Sequence, residues 1–180
     1  MLEALKHTLL IAILSATIST ILGTAASVGI TTLKSKLAKS AIMSVTNIPM
    51  MNADIVTGIS LMFLFVFIGK FVGSSESLGG ATVLIAHITF NLPYVILSVL
   101  PKLKQTDVHL SEAALDLGCT PVKAFFKVVM PSISTGIFTG LIMAFTLSLD
   151  DFVISYFTCG SYQTLPIVMY LLPFHLSKQD

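Results

Sequence analysis

The stretch His7 to Ile30, "HTLLIAILSATISTILGTAASVGI", holds no aspartate, glutamate, lysine or arginine. At about 1.5 Å per residue it is long enough to cross the ~30 Å hydrocarbon layer of a bilayer as one helix. It is too long for a signal-peptide core, no basic segment precedes it, and further apolar runs follow, so it reads as a retained membrane helix. Small residues Ser15, Ser19, Gly23 and Ala26 recur along it at helical spacing, the usual mark of a helix–helix face in lipid. Three more runs follow. Ala41 to Gly69 is interrupted at "NIPMMNAD". Gly79 to Leu100 carries an expected kink before Pro93, and the last run extends from Ser132 to about Phe157. The final apolar piece, "TLPIVMYLLPFHL", is short and holds Pro166 and Pro173; an interfacial or re-entrant segment fits it better than a span.

Of the 180 residues, 54% are hydrophobic and 11% charged, against about a quarter charged in soluble domains. The fold class is therefore all-α integral membrane, a polytopic helical bundle forming a single domain over 1–180, with spans at about 7–30, 41–69, 79–100 and 132–157. All ten basic residues are lysines, and seven of them (34, 36, 39, 102, 104, 123 and 127) fall in the loops after the first and third spans. By the positive-inside rule those loops are cytoplasmic. With no basic run, nucleic-acid binding has no electrostatic footprint. Cys119 and Cys159 lack any metal-ligand spacing and fall on opposite sides of the membrane, which leaves no disulfide or zinc site.

The cytoplasmic loop 101–131 contains "SEAALDLGCTPVKAFFKVVMPSI". Thr106 to Leu117 reads as a helix, with His109, Glu112 and Asp116 on one face. Gly118 suits the left-handed position after a helix end. Thr120 and Pro121 suit the N-cap and first position of a second helix to Met130, with Val122, Phe125, Phe126 and Val129 on one stripe. The residues alone allow either a solvated connector on the membrane surface or a docking site for a cytosolic partner.

Ionisable groups inside a span cost about 2.5–3.5 kcal/mol on insertion scales and are functional candidates. Asp54 lies near mid-depth if 41–69 is one interrupted span, or is an interfacial cap if the span begins at Ala53. Asp150 and Asp151 come late in the fourth run, but the apolar "FVISYF" follows them, which argues that they are enclosed. His87 and Asn91, at i and i+4, read as interhelical glue. Phe90, Phe152, Tyr156 and Phe157 read as packing, although an aromatic wall would suit a cation. Three acids and neighbouring aromatics with no intramembrane arginine make these spans a place suited to a cation.

Glu112-Ala113-Ala114, three residues, Gly118, nine residues, then Val128-Val129-Met130-Pro131 resembles the EAA loop of ABC importer permeases, with Val128 and Met130 in place of the family's isoleucine and leucine. The wider set "PMMNADIVTGISLMFLFVFIG", "HITFNLPYVI", "EAALDLG" and "FTLSLDDFVISYFTCG" is similar to the second permease subunit of spermidine/putrescine importers. "MMNAD" departs from the more usual Met-Ser/Pro-Pro-Asp and shifts the expected helix break. The resemblance implies a type I, MetI-like permease fold, of which about four of six spans are present, truncated at both ends. It implies a bacterial inner-membrane location, ATPase coupling through Glu112, Ala113, Ala114, Asp116, Gly118 and Pro131, and a polyamine path along Asp54, Asp150, Asp151 and Phe152. The implied partners are a second permease, an ABC ATPase dimer, an extracytoplasmic solute-binding protein and membrane lipid. ATP and magnesium would bind the ATPase, since no GxxxxGK[ST] loop occurs here; this chain binds no cofactor and is not an enzyme. The alternatives are a like permease for ferric ion, phosphonate or thiamine, and a non-transporting membrane scaffold or channel subunit.

Overall fold

A computed structural model describes residues 2–33, 35–51, 54–72, 78–106, 113–160, 162 and 164–176. The described residues form helices and no strands: α1 (Leu2–Thr32), α2 (Lys36–Met51), α3 (Asp54–Val72), α4 (Gly80–Gln105), α5 (Pro121–Asp150), α6 (Val153–Thr158) and α7 (Leu165–Leu176). Four of these, α1, α3, α4 and α5, are long and apolar enough to cross a membrane.

Burial along α1 runs opposite to that of a soluble helix. Ser15, Ser19 and Ser27 are fully buried, whereas Leu10, Ile13 and Ile21 are 54%, 54% and 69% exposed. Water would not support that arrangement; lipid does, because it solvates the large side chains and leaves close packing to the small ones. The buried hydroxyls of Ser19 and Ser27 donate back to the carbonyls of Ala16 and Gly23, at 3.1 and 2.7 Å, so burial leaves them satisfied. The predicted small-residue face meets α4. A Cβ at Gly23 would sit 2.7 Å from Cγ1 of Val95, so only glycine permits this approach. Helices α1, α4 and α5 pack as a triple around Ala16, Val95, Val99, Ile133 and Ala144. Helix α3 lies outside it, against α6 and lightly against α4. Leu165 N–H donates to Thr8 Oγ1 at 2.8 Å and ties α7 to α1.

Several boundaries differ from the sequence expectation. The 41–69 segment forms two helices, and α3 alone has the length and apolarity of a span. Helix α4 continues past Leu100 and through Pro101 to Gln105, where Thr106 turns extended (φ −72°, ψ 131°) and caps it; of the helix expected over Thr106 to Leu117, residues 107–112 lie outside the described residues. The second loop helix does not stop at Met130. It runs on into the fourth span through a wide turn at Phe125–Val129, where Met130 N–H donates to the Phe125 carbonyl. Pro131 explains the widening: it has no N–H for the ladder, and its ring crowds the carbonyl four residues back. The fourth run itself breaks at Asp151, which is extended (φ −72°, ψ 102°), before α6 begins.

Candidate functional site

The break after α5 is built by one side chain. Asp151 Oδ1 accepts the N–H of Ile154 and Oδ2 that of Ser155, both at 3.2 Å. A carboxylate placed to take the first free N–H groups of a helix favours a new start over continuation. This break carries Asp150, Asp151 and Phe152 toward the middle of α4. There they join Asp54, Phe90, Tyr94, Leu147 and Val153 around a cavity of about 210 Å³.

All four residues predicted for the solute path, Asp54, Asp150, Asp151 and Phe152, are thus brought together, although Asp54 and Asp150 lie far apart in sequence. Phe90 and Tyr94 stand near the centre of the 26-residue α4, so Asp54 opens onto the interior of the bundle. Asp54 and Asp150 are exposed to the cavity, while the Asp151 side chain is 8% exposed. Phe90 and Tyr94 rings lie 5.5 Å apart, and Phe152 stacks at 4.8 Å on Tyr170. Among the described residues no lysine lines the cavity. Chemically it is a negative site with aromatic walls, suited to an organic cation.

His87 joins helices as the sequence suggested; Asn91 does not. Asn91 is fully buried, and neither side-chain polar atom has a hydrogen-bond partner among the described residues. Tyr94 was the site residue that sequence reasoning missed. Its signal was present, since His87, Phe90, Asn91 and Tyr94 fall at i, i+3, i+4 and i+7 on one face of α4.

In the segment that carries the expected coupling motif, residues 113–116 are helical. Gly118 N–H donates to Leu115 O at 2.9 Å and Cys119 N–H to Ala114 O at 3.1 Å, with Gly118 at φ 82°. These paired bonds around a left-handed residue are the Schellman ending, as the sequence predicted. Thr120 and Pro121 open the next helix, although the Thr120 hydroxyl makes no capping bond. Ala114 and Ala124 are buried, whereas Ala113, Asp116 and Pro131 are exposed. Leu117, Val122 and Phe126 also face outward, 85%, 66% and 57% exposed. Glu112 and the rest of 107–112 lie outside the described residues.

A helical bundle with four membrane-length helices, a compact glycine turn between two of them and an acidic cavity narrows the families to consider. Residues 19–176 match the family described as "Binding-protein-dependent transport system inner membrane component". The chain belongs to this family. It is 37% identical over 171 residues to the putrescine transport system permease protein PotI of Escherichia coli K12, covering 94% of this chain and 61% of that protein. It is 36% identical over 171 residues to the spermidine/putrescine transport system permease protein PotC of the same organism, covering 94% and 62%. Against PotC of Haemophilus influenzae the identity is 35% over 173 residues, covering 96% and 65%. The chain spans about three fifths of the length of the curated relatives it matches first.

Family membership and four apolar spans make this a multi-pass inner-membrane protein of a transport system. A larger groove of about 540 Å³ lies between α1 and the start of α5, lined by Ile21, Val28, Phe126 and Ile137 among others. Among the described residues it holds no ionisable group, in contrast to the smaller acidic cavity.

Proposed function

We propose that this chain is a transmembrane permease subunit of an ATP-driven importer for polyamines. The observation that carries the reading is the convergence of Asp54, Asp150 and Asp151 on one cavity with Phe90, Tyr94 and Phe152. Two or more carboxylates in one chamber match a solute with several ammonium groups, and the ring faces can hold the methylene stem and the cationic ends. The names of the relatives, putrescine and spermidine permeases, agree with that chemistry.

In this reading ATP is hydrolysed by separate ATPase subunits, which dock on the 101–131 loop with Glu112, Ala113, Ala114, Asp116, Gly118 and Pro131 forming the coupling element. Leu117, Val122 and Phe126 supply exposed apolar surface beside it. A second permease completes the translocation path, and an extracytoplasmic binding protein delivers the solute. Closure of the ATPases moves the coupling turn, and α5, continuous with it, carries the motion to Asp150. The acids then hold the cation in one state and release it in the other.

The test is spermidine-stimulated ATP hydrolysis by the reconstituted assembly, with putrescine, thiamine, phosphonate and ferric ion as competitors. Asp150→Asn and Asp54→Asn each remove one charged contact, worth about 1.5–3 kcal/mol, so KM for spermidine rises about tenfold or more. Stimulation by thiamine, phosphonate or ferric ion and not by polyamines would overturn the substrate assignment. Failure of the native chain to co-purify with any ATPase would overturn the coupling assignment and favour a scaffold.

A further inference from the structure

One buried ring holds the acid cavity in shape. His87, 3% exposed, places Nδ1 at 2.7 Å from Ser148 Oγ and Nε2 at 2.9 Å from Ser155 Oγ. Nε2 also lies 3.4 Å from Asp151 Oδ2. Ser148 Oγ in turn lies 3.0 Å from Ser15 Oγ. A single imidazole on α4 therefore reaches α5 directly, α1 through Ser148, α6 through Ser155, and the helix break through Asp151. The arrangement fits the neutral tautomer with its proton on Nε2, toward Ser155 and Asp151, and Nδ1 accepting from the Ser148 hydroxyl.

The three cavity acids differ in what they have left to offer. Both Asp151 oxygens already accept backbone N–H groups, and Oδ2 also faces the imidazole. Asp54 and Asp150 are exposed to the cavity and make no hydrogen bond or ion pair among the described residues. The geometry points to a division of labour: His87 and Asp151 are a positioning pair that fixes the α5–α6 break, and Asp54 and Asp150 meet the solute's charge. Bringing solute contacts within bonding reach depends on the shell behind them, and here that shell is a histidine and two serines. This assignment rests on the reading of the cavity as a cation path.

Two measurements on the assembled transporter test it. In the first, Asp150→Cys is placed in a chain with Cys119→Ser and Cys159→Ala, and the new thiol is titrated with the cationic reagent aminoethyl methanethiosulfonate. Loss of the latch in His87→Leu or Asp151→Ala changes the labelling rate about fivefold or more. His87→Gln carries an amide N–H₂ to the place of Nε2 and keeps the rate within about twofold of the His87 chain. Unchanged labelling in His87→Leu would overturn the proposal; so would equal changes in His87→Leu and His87→Gln, which would mean that the ring only fills space. In the second, with Asp150 restored, spermidine KM rises about tenfold in His87→Leu and is recovered in His87→Gln, with kcat held. If Asp150→Asn leaves KM unchanged, the cation-path reading fails, and the labelling experiment still decides whether His87 positions the break.

Discussion

Asn91 and Gly118 are the two residues whose environments set the sharpest single-site expectations. Asn91 is fully buried with both amide atoms unpartnered among the described residues, and leaving such a group unsatisfied costs about 1–3 kcal/mol. Asn91→Leu, of similar volume, is therefore expected to raise the melting temperature in detergent. A fall instead would place a bound water on the amide. Gly118 has φ 82° and open space where a Cβ would point, so its constraint is conformational and not steric against a neighbour. Alanine there costs about 1–2 kcal/mol, while asparagine tolerates the left-handed region better. Capture of the ATPase subunit is expected to fall in the order native, Gly118→Asn, Gly118→Ala, Gly118→Pro, read by co-purification.

Between elements, close approach decides stability. The contact of Gly23 on α1 with Val95 on α4 leaves no room for a methyl group, and overpacking of this kind costs about 1–3 kcal/mol. Gly23→Ala should lower the melting temperature, and Val95→Ala should restore most of the loss when combined with it. Simple additivity of the two would show that the helices separate freely at this point. The same scale shows what a linear reading reaches. The small-residue face of α1, the left-handed Gly118 and the Thr120–Pro121 start were all legible, because each depends on neighbours within one or two turns. The break at Asp151 was not, because "FVISYF" is apolar enough to extend a span and the break depends on a carboxylate choosing backbone N–H groups over solvent. The wide turn before Pro131 is not legible for a related reason: a proline near a helix start is tolerated, and only the continuity of the loop helix with the span puts Pro131 inside the ladder.

At the scale of the whole molecule, we propose from lysine asymmetry and the helix order an orientation with α1 starting outside and the 113–120 turn inside. A membrane-impermeant maleimide applied to spheroplasts is expected to leave Cys119, half-buried on the inner side, unlabelled until the membrane is permeabilised. Lys6→Cys, near the exposed outer end of α1, is expected to be labelled at once. Reversal of the two would invert the assignment. That Asp54 shares a chamber with Asp150 was beyond sequence reasoning, which placed each acid within a span without saying which spans meet. The packing of α3 against α6 supplies that fact. A last consequence follows from α1, with its serines inward and its leucines outward. Separating such helices in lipid exposes apolar surface to acyl chains and not to water, so the step carries little of the heat-capacity increase that curves the stability of soluble proteins. The stability of this bundle should therefore fall nearly linearly with temperature, with no optimum near room temperature and no weakening in the cold.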